Sequence, residues 1–332
     1  MLIPTHGRTP TRPAGSRIVD LSGETMGTTW SVRLVPPPDL SAGAAREAVE
    51  AELARLVACF SHWDPRAELA RFNSAPPGFY AVSEPFWNLL NAAMDYPEHT
   101  DAAADRTRGA PGDLWGFGPP GPRPAADLPT DEEIAEALSR CGWQGLRLNR
   151  SARAVQQIGG MKLDLSGIAK GHAVDRVSDV LTELGATHHL VEIGGELRGR
   201  GVKPDGRPWW VELQQGPGAP GPRTLVALFD LAVATSGDWV RGFEHEGRRY
   251  AHTLDGRTGR PVDNGVVSVT VLSETALRAD ATATALIVMG PVAGPTFAEA
   301  LDIAAAFVVR GPDGAPTETV TPAFAAMLNE GV

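Results

Sequence analysis

MKLDLSGIAKGHAVDR, residues Met161–Arg176, changes its apolar period half-way along. Met161, Leu163 and Leu165 alternate with Lys162 and Asp164, the two-residue period of a strand. Beyond Ser166-Gly167 the apolar positions become Ala173, Val177, Val180, Leu181 and Leu184, a helical period that Gly185 closes as the first residue past the helix. The stretch therefore predicts a strand ending near Asp164, a small-residue turn, and a helix whose first turns carry Lys170. A helix N-terminus presents unpaired N–H groups and the positive end of a dipole, a setting that suits phosphate. The same spacing also describes an ordinary strand-to-helix junction with a solvated lysine.

Downstream, LVEIGGELRGRG (Leu190–Gly201) reads as an apolar strand ending in a Gly-Gly pair that permits close backbone approach. From Val155 onward strands and helices mix without regular β-α alternation. No G-x-G-x-x-G follows a strand, so a dinucleotide-binding Rossmann unit is not supported. The pattern predicts an α+β fold with antiparallel pairing. Upstream, Thr28–Val35 reads as a strand stopped by Pro36-Pro37-Pro38. Ser41–Phe60 reads as an amphipathic helix capped by Ser41, and Ser83 to about Met94 as a second. Thr130–Cys141 is a third, with Glu133 completing a capping box. Gly116–Pro129 and Gln214–Arg223 read as loops. Neither divides the chain into independent domains.

The 332 residues suffice for a sizeable core, and 42% hydrophobic with 21% charged residues is a globular balance. A formal charge of −10 argues against a nucleic-acid surface. Cys59 and Cys141 lie far apart without zinc or dithiol spacing. Residues 1–17 read as a disordered lead without a signal-peptide pattern, and no run approaches the roughly 18 apolar residues of a membrane span. A cytoplasmic protein is expected, with residues 18–332 forming one domain.

Three further segments carry chemistry. In RADATATAL (Arg278–Leu286) a helix would place Asp280 and Thr284 on one face, with small Ala283 beside them. Their oxygens could hold a hard cation such as Mg²⁺ whose shell is completed by phosphate and water. Alternatively, the aspartate faces the helix dipole and the threonine bonds back to its own backbone. YAHTLDGRTGRPV (Tyr250–Val262) offers His252 as a general base, with Asp255 orienting it or acting directly. VATSGDW (Val233–Trp239) supplies Thr235, Ser236 and Gly237 to line phosphate or order an acceptor segment, or Ser236 as a helix N-cap.

Together with MGTTWSV (Met26–Val32), these segments resemble the signature set of the ApbE-type FAD:protein FMN transferases, from about Glu24 to about Gly290. The resemblance implies a two-lobed, T-fold-like architecture with FAD in the cleft between the lobes. It implies flavin contacts at Met26, Trp63, Ala103, Ala104, Asp105, Asp164 and Leu254, with Lys170 neutralising phosphate. Mg²⁺ ligands are implied at Gly167, through its backbone oxygen, and at Asp280, Ala283 and Thr284. The implied reaction moves FMN from FAD onto a threonine of an acceptor protein, with His252 and Asp255 as catalytic residues and AMP released. A FAD pyrophosphate hydrolase using the same site, or a non-catalytic FAD-binding protein, are the alternatives. The chain departs from the family pattern in three places. Trp63 replaces a tyrosine, and Asp255-Gly256 replaces Asp-Pro, from which a looser turn is expected. In Ala102–Pro119, Ala104, Arg106 and Ala110-Pro111 replace a phenylalanine, a proline and a Pro-Leu pair.

Overall fold

The computed structural model describes residues 11–13, 17–100, 102–123, 128–214, 216, 224–239, 241–311 and 313–328. Most of the expected lead and of the loop Gln214–Arg223 lies outside the described residues. Among those described, eight strands form one sheet: β1 (Val19–Thr25), β2 (Thr28–Leu34), β3 (His189–Ile193), β4 (Glu196–Arg200), β5 (Leu231–Gly237), β6 (Val266–Ser273), β7 (Ala304–Arg310) and β8 (Pro316–Val320). Their order across the sheet is their order in the chain, and every neighbouring pair is antiparallel. The fold is α+β, as expected.

The strands read as apolar runs because both faces are covered. In β5, Leu231 and Val233 enter one buried cluster while Ala232 and Ala234 face the opposite side. One face carries α1 (Ala42–Phe60), α2 (Ser166–Glu183) and α3 (Ala276–Ala300). The other carries the hairpin Trp209–Glu212/Leu225–Leu228 and the short helix Pro322–Met327. A small three-stranded sheet (Gly78–Ala81, Ala154–Gln157, Leu148–Asn149) extends the helical side. Its Val155, with Phe72 and Phe86, joins the same buried cluster as Val32 and Ile193 of the main sheet.

Local signals placed the helix ends. Ser41 Oγ accepts from Ala44 N at 3.1 Å, and Thr130 and Glu133 form a reciprocal capping box on the helix Asp131–Ser139. Past α2, Gly185 takes φ 81°, while Ala186 N and Gly185 N donate to the carbonyls of Leu181 and Thr182, a Schellman closure. The helix expected from Ser83 to about Met94 runs over Glu84–His99.

Other expectations are corrected. Met161–Leu165 is not a strand, because its partner segment turns into the helix Gly109–Leu114 after a single parallel bridge, Arg108 to Lys162. Side chains take over the missing ladder. Asn73 both donates to Leu163 O (2.9 Å) and accepts from Leu163 N (2.8 Å), and Gln157 donates to Met161 O at 3.0 Å. The alternation survives as packing, with Met161, Leu163 and Leu165 all fully buried. Ser236 is no N-cap, since it lies inside β5. Contrary to the expectation from apolar runs, α3 is long and apolar enough to cross a membrane by length and composition. Here it is half buried, packs on β5, β6, β7 and α2, and breaks at Gly290 (φ 87°).

Candidate active site

The turn that opens α2 is held by two isolated backbone bonds and by side chains rather than by a strand. Asp164 N donates to Arg106 O at 2.7 Å, and Gly109 N to Lys162 O at 2.9 Å, pinning the turn to the segment 106–109. Asp164 Oδ1 accepts from Ser166 N (2.9 Å) and Ser166 Oγ (2.6 Å). His62 Nε2 lies 3.4 Å from the same oxygen. Burial alone would raise the Asp164 carboxyl, but His62 and the Ser166 donors outweigh it and hold the group below the ordinary carboxylate range. His62 responds in kind. Burial pulls it down, yet Asp164 and the more distant Asp113 leave it above the usual histidine value.

One helical turn on, α2 meets α3 so closely that a Cβ on Gly171 would stand 2.2 Å from Ala276 O. Only glycine permits that crossing. Gly171 N donates to Asp280 Oδ2 at 2.9 Å, and Asp175 accepts from Ala276 N and Leu277 N at the start of α3. Arg198 of β4 donates to Asp175 at 2.6 Å. These bonds set the face of α3 that carries Asp280 against the turn at Gly167. Thr284 Oγ1 lies 3.3 Å from Ser236 Oγ of β5, and a Cβ on Gly167 would stand 2.9 Å from Thr284 Oγ1 and 2.7 Å from Arg106 Nη1. Arg106 Nη2 donates to the Gly167 carbonyl at 3.3 Å. Thus Gly167 meets Thr284, and Gly171 meets Asp280 one turn earlier on α3, although α2 and α3 lie more than about a hundred residues apart. Ala283 is fully buried and its methyl packs in an apolar cluster, so its side chain offers no ligating atom.

Lys170 donates to Glu196 Oε1 at 2.5 Å, while Glu196 Oε2 is buried with no hydrogen-bond partner among the described residues. Burial pushes Glu196 up to about 8, with Lys170 opposing and Asp280 adding to the rise. Burial likewise raises Asp280, against Lys170, the Gly171 N–H and Arg106. For Lys170, burial would lower the ammonium, but Glu196 and Asp280 raise it.

The altered run Ala102–Pro111 still packs tightly. Ala103 and Ala104 are buried, and Asp105 Oδ1 accepts from Thr107 N and Oγ1, both at 2.8 Å. Asp105 thus shapes the loop, and Thr107 Oγ1 in turn accepts from Gly142 N at 2.7 Å. Met26 (φ 51°) and Gly27 (φ 73°) make the two-residue turn joining β1 and β2.

The other wall is the segment 252–262. His252 Nδ1 faces Arg241 O at 3.2 Å, which fixes Nδ1–H as the donor and leaves Nε2 with the lone pair. Burial lowers the imidazole below its ordinary value, against that hydrogen bond; the charges of Lys170 and Asp164 also reach it. Asp255 does not orient the ring. Its carboxylate accepts from Arg257 at 2.9 and 2.8 Å and from Arg257 N at 2.8 Å. Nor is the turn loose. Asp255 N donates to Arg260 O, Gly259 N donates to Asp255 O, and a Cβ on Gly256 would stand 2.0 Å from Ala102 O. Leu254, partly buried, bridges to Pro261 in the same turn. Trp63 is 54% exposed with the Arg241 guanidinium 6.0 Å from its ring centre, which rules out a core aromatic. A cavity of about 630 Å³ opens beside this wall, lined by Trp115, Phe117, Trp239, Arg241 and Phe243 among others. Phe117 stands edge-on to His252.

A profile of the ApbE family matches residues 26–307. The chain belongs to that family. A FAD:protein FMN transferase of Vibrio cholerae is 38% identical over 304 residues, covering 89% of each chain. One from Haemophilus influenzae is 33% identical over 320 residues, 92% of this chain and 90% of the relative. The crystal structure of the Pseudomonas stutzeri flavinyl transferase ApbE, apo form, superposes with a TM-score of 0.86 at 36% identity, covering 95% of this chain and 98% of that one. As an ApbE-family member the chain is an enzyme of the transferase class.

Sequence reasoning missed three residues of this ApbE site. Glu196 was legible in principle. Gly194 (φ 60°) and Gly195 (φ 100°) form a two-residue hairpin turn, so Glu196 pairs with Ile193 and shares its inward face. His62 and the side chain of Arg106 carry no such local signal. The donors at the Gly167 turn suit a hard divalent cation, being all oxygen with one carboxylate. Among the described residues no group of three His, Cys, Asp or Glu converges, so such an ion would depend on substrate phosphate to complete its shell.

Proposed function

We propose that this enzyme transfers FMN from FAD onto a threonine hydroxyl of an acceptor protein and releases AMP, with Mg²⁺ as the assisting ion. The observation that carries the reading is the convergence of the Gly167 carbonyl, Asp280, Thr284 and Lys170 at the opening of α2, within electrostatic reach of His252. The relatives, FAD:protein FMN transferases by name, support flavin transfer from FAD to protein. Held by Gly167, Asp280 and Thr284, Mg²⁺ would neutralise charge on the pyrophosphate and on the departing AMP.

The chain's own groups account for the rest. Asp164, kept ionised, and the exposed Trp63 ring bind the flavin nucleotide, and Lys170 places a positive charge at the phosphates. The acceptor threonine enters past Phe117 from the 630 Å³ cavity. Its Oγ attacks the phosphorus on the FMN side, the P–O bond to AMP breaks, and the threonine proton passes to His252 Nε2. The Arg241 carbonyl keeps that nitrogen free to accept.

The test incubates the protein with FAD, Mg²⁺ and a candidate acceptor, with mass spectrometry of the acceptor and chromatography of nucleotides. Expected is an FMN adduct on threonine and one AMP per adduct. FMN and AMP released in equal amounts with no adduct on any acceptor would replace this reading with hydrolysis. Bound but unconverted FAD would replace it with a carrier role.

A further inference from the structure

We propose that Arg106 is a built-in cation that shares the oxygen site of Gly167, Asp280 and Thr284 with the divalent ion, so that guanidinium and metal exclude one another there. The inference rests on the metal site just proposed. Its basis is geometric. Arg106 is 5% exposed, and its backbone is pinned, because its carbonyl accepts from Asp164 N at 2.7 Å. Its side chain is therefore tethered beside the turn even when it swings away from Gly167 O. Nη2 donates to the Gly167 carbonyl at 3.3 Å, and Nη1 lies 2.7 Å from where a Gly167 Cβ would be, with Thr284 Oγ1 2.9 Å from that same point. Gly167 departs from helical geometry (φ −85°, ψ 23°), and its carbonyl is turned to a side-chain donor. That part-buried carbonyl finds its side-chain donor in Arg106.

Two positive groups cannot occupy one set of oxygens without strong repulsion, and a guanidinium cannot shed its charge. Metal binding must therefore displace Arg106 from Gly167 O, or proceed against its field. Lys170 adds a second fixed charge nearby, so the site is biased against a lone divalent ion. An incoming pyrophosphate offers the displaced guanidinium an anionic partner, and nucleotide would thus open the site for the metal.

The test is Mn²⁺ binding to the nucleotide-free protein, followed by loss of the free-ion EPR signal and by calorimetry, in wild type, Arg106→Met, Arg106→Lys and Asp280→Asn. Thermal melting checks that each variant is folded, with Arg106→Gln standing in should Arg106→Met not fold. Arg106→Met is expected to bind Mn²⁺ about tenfold more tightly or better than wild type. Arg106→Lys keeps the charge and should gain much less. Equal or weaker binding in Arg106→Met overturns the proposal, and so does an equal gain in Arg106→Lys, which would make volume rather than charge the cause. The Asp280→Asn arm tests the underlying site separately. If that variant binds Mn²⁺ as wild type does, the ion sits elsewhere, and the metal reading fails whatever Arg106 does.

Discussion

The inner end of the proposed active site and its rim are built on different principles. At the inner end, Lys170, Glu196 and Asp280 come from α2, β4 and α3, elements locked together by the Gly171 crossing and the Asp175 bonds. The charges there are desolvated and answer to one another. At the rim, His252, Asp255 and Trp63 sit on turns whose partners are backbone carbonyls or half-exposed arginines. The contrast teaches that burial sets the strength of a charge's effect, while in the proposed reaction the loops would set the approach of the acceptor. It predicts large effects for inner-end changes to charge, a chemical effect for the rim base, and small effects for the remaining rim.

Asp280→Asn is the severest test. It keeps shape but removes the carboxylate, and Mg²⁺-dependent transfer should fall by about 10³- to 10⁵-fold while the melting curve stays cooperative. Undiminished turnover, or turnover indifferent to EDTA, would move the metal away from α3.

His252→Ala should slow the chemical step by about 10²- to 10⁴-fold and leave FAD affinity nearly unchanged. Burial lowers the imidazole, so it is neutral at pH 7 and protonates only below its ordinary value of 6.5. Activity should fall as pH drops through that lower value, and this acid limb should vanish in the variant. A retained limb would assign it to another group.

Glu196→Gln tests the inner charge pair. It keeps a hydrogen bond from the Lys170 ammonium and removes the group that titrates, so at neutral pH, where Glu196 carries its proton, stability should change by less than about 1 kcal/mol. Glu196 binds its proton more tightly folded than unfolded. Its contribution is therefore complete below its ordinary value of 4.5 and is lost as pH rises through about 8. Urea melts of wild type should show stability falling between pH 4.5 and about 8, and those of the variant should lack that component.

On the rim, Asp255→Asn should cost less than tenfold in rate, because its carboxylate holds Arg257 and not His252. A cost exceeding that of His252→Ala would reverse the assignment of the base. Smallest of all, Trp63→Ala should weaken FAD binding only a few-fold by fluorescence titration, the scale of an exposed ring with a cation above it. A loss of a hundredfold would show that the rim carries as much binding as the inner end.

Much of this molecule was legible in its sequence because many of its signals are local. The caps at Ser41 and Thr130, the Gly185 closure and the onset of α2 depend on residues three or four apart, where the chain itself enforces proximity. The family motifs are also short runs, so Asp164, Lys170, His252, Asp280 and Thr284 could be named from them. Tertiary structure alone decided what these groups meet. Lys170 meets Glu196 across 26 residues, Gly171 meets Asp280 across 109, and Arg106 meets Gly167 across 61. Period and propensity do not encode such partners. It also turned Met161–Leu165 from strand to side-chain-bonded segment, because the neighbouring chain leaves after one bridge. It tied Asp255 to Arg257 and tightened a turn whose sequence read as loose. A residue's chemistry follows from its type, but its charge state and partners follow from what the fold brings against it and how much water it excludes.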